Sequence, residues 1–241
     1  MATQQLGPAE GSASIEQPNH WWYAARSELL RAALGPFLGT PGRLLDVGSA
    51  DGPSVGWLTC SGLHATLDVD PRGLRPGSGV QATALALPFA DGVFDVVGAF
   101  DVVEHCEPEA DAVAELARVL APGGRLLLSV PAYQWAWSDH DVRAGHFRRY
   151  TGRRLRRAVE AAGLEVLRST HGFAALFPAF AAERLARRAR GAAERPAGAR
   201  LPEPSAPAER VLLGLCRAEA RVLRRWDLPF GSSIFVAARR P

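Results

Sequence analysis

The run Leu44-Leu45-Asp46-Val47-Gly48-Ser49-Ala50-Asp51-Gly52 constrains this chain more than any other stretch. An apolar strand end runs into a turn of small residues flanked by acids. Gly48 and Gly52 carry no Cβ, so backbone there can approach a polar ligand closely. A glycine pair behind a strand also serves simply to pack a helix, so the motif gains its weight from the segments downstream of it. His64-Ala65-Thr66-Leu67-Asp68-Val69-Asp70 reads as a second short strand ending in acids. An acid at the tip of the second strand of a doubly wound sheet can accept hydrogen bonds from ribose hydroxyls. Residues 84–97 then give a loop, a turn and a buried strand, with Asp101-Val102-Val103-Glu104-His105 just beyond it.

Apolar spacing at Val113, Leu116, Ala117 and Leu120 predicts a helix over about 107–120, closed by Pro122-Gly123-Gly124, with a strand at 125–130. Thr151 is positioned to cap a helix over 152–162 with Leu155, Val159 and Ala162 inward, and Gly163 ends it. Strands are predicted at 164–170 and 232–238. Between them lie about sixty residues the sheet does not need. Residues 173–190 are apolar first and arginine-rich later, 191–208 form a Pro/Ala/Gly linker expected to be mobile, and 209–226 read as an amphipathic helix with Val211, Leu215, Val222 and Trp226 on one face. The expected fold class is α/β: a Rossmann-like, seven-stranded, mostly parallel sheet flanked by helices, with an N-terminal helix and a helical insertion between the last two strands.

Hydrophobic residues make up 47% of the 241, enough for a core, and no 18-residue apolar run predicts a membrane span. Residues 1–19 lack a basic start and an apolar stretch, which predicts a disordered leader rather than a secretory signal. Cys60, Cys106 and Cys216 are widely spaced and odd in number, as for reduced thiols in a cytoplasmic protein. Every basic residue is arginine. Residues 1–142 hold 7 Arg against 17 acids and residues 143–241 hold 21 Arg against 8 acids, formally −10 and +13. An acidic front half and a basic rear half suggest an anionic partner for the latter: a phosphorylated substrate, a membrane surface or nucleic acid. A solvated arginine face with no partner fits the same count.

The segments LLDVGSADG, LDVDP, ALPFADGVFDVV, VVEH and ELARVLAPGGRLLLSVP, over about residues 43–131, resemble the class I S-adenosylmethionine-dependent methyltransferases of the small-molecule group. The resemblance implies S-adenosylmethionine as cofactor. It implies that Asp46, Gly48, Ser49, Ala50, Asp51 and Gly52 shape the methionine side of its pocket. Asp68 with Val69 would hold the ribose, Ala84 and Leu85 would border the adenine, and Phe100 and His105 would line the pocket after the fourth strand. Thr83 stands where the family often has an adenine-binding aspartate, and Asp70 rivals Asp68. The implied domains are a leader at 1–19, a methyltransferase domain at 20–171 with 232–241, and a lid-like insertion at 172–231.

Two further segments bear on the acceptor. His20 to Leu38 reads as an aromatic-rich helix over the cofactor, from which Arg26 can reach the methionine carboxylate with its fork of donors. Its tryptophans can equally staple the helix to the sheet. After the fifth strand, residues 131–150 concentrate aromatic, histidine and arginine side chains where open α/β sheets build ligand sites. Tyr133, Trp135, Trp137, Arg148 and Arg149 are the candidate substrate contacts. His140 or His146 is the candidate general base, with Asp139 or Asp141 orienting it, and Tyr150 the third candidate catalytic residue. Asp139, His140, Asp141 and His146 lack metal-ligand spacing, so no metal is expected. The expected reaction is methylation of a hydroxyl oxygen on a sugar, an aromatic or polyketide natural product, or a lipid-linked intermediate. Peripheral membrane contact through 173–226, using Phe173, Leu176, Phe177 and Phe180 with the arginines, is a candidate partnership. The alternatives are a non-catalytic binding or scaffold protein and, behind it, an RNA methyltransferase. Nucleic acid is disfavoured because no RNA-binding module is recognisable and no Asp/Asn-Pro-Pro-aromatic run succeeds the fourth strand. An NAD-dependent oxidoreductase is disfavoured because Asp51 would repel a pyrophosphate.

Overall fold

The computed structural model describes residues 3–4, 17–48, 52–189 and 203–241. Seven strands form one sheet: β1 (Arg43–Val47), β2 (Leu63–Asp68), β3 (Gly79–Gln81), β4 (Phe94–Phe100), β5 (Leu120–Pro131), β6 (Glu165–Gly172) and β7 (Ser233–Arg239). Their order is β3-β2-β1-β4-β5-β7-β6. All neighbours are parallel except β7, which runs antiparallel between β5 and β6. The helices are α1 (Trp21–Leu38), α2 (Gly52–Val55), α3 (Glu109–Arg118), α4 (Asp139–Arg143), α5 (Gly152–Ala161), α6 (Phe177–Ala189) and α7 (Ala206–Leu223). The expected Rossmann-like architecture is therefore present, including the N-terminal helix and the helical insertion between the last two strands. The leader, the linker and the turn residues Ser49, Ala50 and Asp51 fall wholly or largely outside the described residues.

Strand alternation splits the core into two layers, because successive side chains leave opposite faces. Leu45, Val97, Leu126 and Leu128 pack against Val113 and Leu116 of α3 and Leu155 and Val159 of α5. Leu44, Val96, Leu127 and Phe235 pack against Leu29, Leu30 and Leu34 of α1 and Cys216, Ala220 and Leu223 of α7. Burial on both faces is why these strands are continuous apolar runs.

Three expectations change. The α3 helix stops at Arg118, and β5 begins at Leu120, carrying Pro122-Gly123-Gly124 inside it as a bulge between the Phe94–Leu120 and Val96–Arg125 pairs. Proline and glycine there mark a strand irregularity rather than a helix end. The apolar stripe expected to seat α7 faces solvent: Val211 is 62% exposed, Leu215 42%, Val222 43% and Trp226 69%. The domain takes the neighbouring arc instead, where Cys216 and Ala220 are small enough for close approach to α1. Phe173, assigned to a membrane face, is buried and stacks on Trp22 at 5.9 Å.

The arginine-rich rear half is also less free than its count suggests. Arg168 donates to Ala33 O, Leu223 O and Asp227, each at 2.7 Å, tying β6 to both helices of that layer. Arg240 donates to Arg118 O at 2.8 Å, satisfying a carbonyl at the end of α3 that the helix leaves unpaired.

Candidate functional site

The carboxyl rim of the sheet is where backbone strain collects. Asp101, Tyr133 and Phe173 lie within two residues of the ends of β4, β5 and β6, and each is a non-glycine residue in the left-handed region (φ 57°, 63° and 61°). Such conformations cost of order 1–3 kcal/mol and cluster where structure serves a ligand. At the end of β1, Gly48 (φ 77°) donates its amide to Leu67 O at 2.7 Å. A Cβ at Gly48 would lie 2.5 Å from Val102 Cγ2, so glycine is required twice over.

Acids dominate this rim. Asp46 is 4% exposed. Burial, helped by the nearby Asp68 carboxylate and opposed by Arg26 and Arg75, pushes its carboxyl up to about 7. Asp68 is buried at the tip of β2 and accepts the Asp70 amide at 2.8 Å. Asp70 points elsewhere, paired with the Arg72 guanidinium and capping the turn at Pro71–Gly73. Glu104, wholly buried on the short turn Val103–His105, has its carboxyl raised by burial and by Asp101.

Arg26 is the cation among these acids. It is 1% exposed, and its Nη2 donates to Asp101 Oδ2 at 2.8 Å and to Ser129 Oγ at 3.1 Å. Ser129 Oγ in turn donates to Asp101 Oδ1 at 2.9 Å. This triangle locks α1 to the ends of β4 and β5. Of the other cofactor-side residues, Phe100 is 2% exposed and packs near Trp57, so it belongs to the core. Ala84 is buried, and Leu85 donates its amide to Thr83 Oγ1 at 3.2 Å. Val69 accepts at its carbonyl from Gln81 at 3.0 Å, and Gly52 opens α2 on the surface.

The segment after β5 is organised by Asp141. Its carboxylate is fully buried and accepts from the Ser138 amide (2.9 Å), Arg149 Nε (2.7 Å) and His146 Nδ1 (2.8 Å). Burial would raise this carboxyl, but the donors from His146 and Arg149 outweigh it and hold it well below the usual range. Arg149 is thereby committed inside the protein, as is Arg148, which pairs with Glu107 and donates to Cys106 O at 2.7 Å. Neither guanidinium has the surface expected of a substrate contact, because each stitches a loop to the core. Tyr150 is likewise 0% exposed, its phenol pushed up by burial, and its ring lies in the core beside α5 rather than in an open site.

Three aromatic candidates remain at the mouth. Tyr133 stacks on Trp135 (5.9 Å) and on His171 (5.8 Å) and meets Phe177 of α6 at 5.3 Å. Trp135 is 39% exposed and Trp137 half-buried. His140 is exposed on α4, with its ring 6.4 Å from that of His146. His105 packs its ring edge-on against that of His146, centroids 4.6 Å apart, and burial with the neighbouring imidazole lowers it to about 4. Sequence reasoning missed His171, Asp101, Ser129 and Glu104. Asp101 and Glu104 carried a signal: acids among the apolar residues Phe100, Val102 and Val103 have to be accounted for. Two shallow clefts of about 350 and 320 Å³, one lined by Arg153, Arg154 and Arg157 and the other by Phe37, Arg168 and Arg224, lie away from the rim.

A rim with surplus carboxylate, a glycine turn and an acid at the tip of β2 suits a positively charged, ribose-bearing ligand. The known proteins agree. Residues 19–169 match the family model described as a methyltransferase domain. An uncharacterized methyltransferase of Mycolicibacterium gilvum is 33% identical over 165 residues, covering 57% of this chain and 65% of its own length. The chain thus spans just under two thirds of that relative. Among solved structures, the N-methyltransferase NodS from Bradyrhizobium japonicum, in complex with S-adenosylhomocysteine, aligns at TM-score 0.55 and 14% identity over 94% of this chain and 91% of its own. The [4+2]-cyclase SpnF aligns at 0.52 and 22% identity over 89% and 79%. That a cyclase shares the architecture shows that the fold alone does not fix the reaction. The family match, the sheet order and the acid-lined rim together place this chain among the class I S-adenosylmethionine-dependent methyltransferases.

Proposed function

We propose that this chain transfers a methyl group from S-adenosylmethionine to a hydroxyl oxygen of a small-molecule acceptor: a sugar, an aromatic or polyketide product, or a lipid-linked intermediate. The observation that carries the reading is the buried acid pair Asp46 and Asp68 on neighbouring strand ends, at the same rim of the sheet as the aromatic cluster built on Tyr133. The cofactor supplies an activated, cationic methyl donor. Asp68 accepts from its ribose, Asp46 faces its positive charge, and Ala84 with Leu85 borders its base. Gly48 lets the backbone come close. Tyr133, Trp135 and Trp137 present flat apolar surface to the acceptor. Alignment is then the protein's main task, and near-attack positioning supplies as much as ~7–11 kcal/mol in favourable systems. A hydroxyl acceptor also has to lose its proton, and the candidate groups to assist are His146, oriented by Asp141, and His140.

Calorimetry with S-adenosylmethionine and with NAD tests the cofactor assignment. Binding of the former alone is expected, weakened about 10- to 100-fold in Asp68→Ala, the range for a charge-assisted hydrogen bond. NAD binding, or unchanged affinity in the variant, would remove it. A labelled-methyl screen against extracts then separates an enzyme from a binding protein.

The exposed stripe of Val211, Leu215, Val222 and Trp226, with Arg210, Arg217, Arg221, Arg224 and Arg225 on the same helix and its end, favours a second property. It suits peripheral contact with an anionic bilayer: apolar side chains enter the headgroup boundary and arginines meet lipid phosphates. Among the described residues no helix is long and apolar enough to cross a membrane. The chain is expected to sediment with anionic vesicles at low salt and to be released at high salt, and Trp226→Glu with Val222→Glu to abolish retention. Equal retention on neutral vesicles would reject this surface.

A further inference from the structure

Glu104, His105 and His146 form a cluster just beyond the exit of β4. Their ligand-capable atoms lie within 4.8 Å of one another. Two properties separate the cluster from an ordinary polar contact. Glu104 is 0% exposed, and neither of its carboxylate oxygens has a hydrogen-bond partner among the described residues. A buried carboxylate left this way is costly unless something pairs with it. His146 is also oriented from behind: its Nδ1 bonds Asp141 Oδ1 at 2.8 Å, and Asp141 is itself fixed by Ser138 and Arg149. A carboxylate holding one nitrogen of an imidazole so that the other faces a cation is the usual outer shell of a histidine metal ligand. The backbone adds rigidity, since the Phe147 amide donates to Glu104 O at 2.8 Å and pins the two segments together.

We propose that Glu104, His105 and His146 bind a divalent transition-metal ion. One carboxylate and two imidazoles suit Zn²⁺, Mn²⁺, Fe²⁺ or Co²⁺ better than Ca²⁺, which takes oxygen ligands in larger number. Three protein ligands leave coordination positions open for oxygen. The site lies directly after β4, at the same rim as Asp101 and Arg26, so an acceptor hydroxyl bound there would lose its proton more readily than in water. In that case His146 acts as a ligand and not as the base. This last step rests on the methyl-transfer reading; metal binding does not.

The test uses the full chain, stripped by chelator and titrated with Co²⁺ and Zn²⁺ by calorimetry and by the visible absorption of bound Co²⁺, with S-adenosylmethionine titrated into the same preparation. One equivalent of metal and a rise in unfolding temperature are expected. Glu104→Gln, which keeps the volume and removes the buried charge, is expected to fold at least as stably as the metal-free protein yet bind no stoichiometric metal. Asp141→Asn should weaken metal binding about 10- to 100-fold. Binding of S-adenosylmethionine without an equivalent of either metal would overturn the site and leave the methyltransferase reading standing. Unchanged metal binding in Glu104→Gln would overturn it as well. Metal binding without cofactor binding would uphold the site and count against that reading.

Discussion

Asp141→Ala is expected to cost about 3–5 kcal/mol of stability, the range for breaking a buried ion pair from one side. The carboxylate holds together the start of α4, the Arg149 guanidinium and the His146 ring, and all three side chains of the ion pairs are largely buried. Removing it leaves Arg149, itself 7% exposed, as a buried cation without its counterion. Urea unfolding of the variant beside Asp141→Asn measures the effect. Asn keeps the volume and one acceptor, so it should fall between alanine and the parent. Parent-like stability in Asp141→Ala would show that the loop does not depend on this hub. The pH response is set by the direction of the shift. The folded carboxyl lies below its unfolded value of 3.8, so the unfolded chain binds the proton more tightly. The stabilisation is complete well above pH 4 and is lost progressively as pH falls below it. Acid unfolding of the parent should therefore begin at higher stability, and Asp141→Ala should show a flatter profile in that window.

The parts of this molecule that could be read in the sequence are those governed by local chemistry. The strand–turn–strand order, the Thr151 cap (Arg154 N to Thr151 Oγ1, 3.2 Å) and the position of the insertion all derive from residue type and spacing. What failed depends on which neighbour a surface meets. Periodicity located an apolar arc on α7 at Val211, Leu215, Val222 and Trp226, but α1 took the adjacent arc with Cys216 and Ala220. Arginine counts failed for a related reason, because net charge does not record that Arg148, Arg149 and Arg168 are spent on internal carbonyls and acids. The site divides in the same way. Asp46, Gly48 and Asp68 sit on consecutive strand ends, so motif spacing finds them. Glu104, His105 and His146 come together only because the segment from α4 to α5 folds back on the exit of β4, a contact across some forty residues that no local pattern encodes.

Asp46→Asn is expected to change the pH dependence of both stability and cofactor affinity, in opposite senses. The folded Asp46 carboxyl stands at about 7, above its unfolded 3.8, so the folded state binds the proton more tightly. By linkage, stability falls as pH rises from about 4 to about 7, and the unliganded protein carries that penalty in full only above 7. One pKa unit corresponds to ~1.4 kcal/mol, so the upper bound is about 4 kcal/mol. The asparagine amide is itself a buried polar group that needs partners, which brings the expected gain for Asp46→Asn at pH 8 nearer ~1–2 kcal/mol. Binding of a cationic donor needs the ionised form. The parent's affinity for S-adenosylmethionine should rise up to tenfold per pH unit below 7 and level off above, while Asp46→Asn binds weakly and without that rise. The difference between the two profiles isolates Asp46 from the ligand's own titrating amine. Parallel pH profiles for the two proteins, in calorimetry and in thermal unfolding, would mean that the carboxylate is already neutralised by its protein neighbours and does not meet the donor's charge.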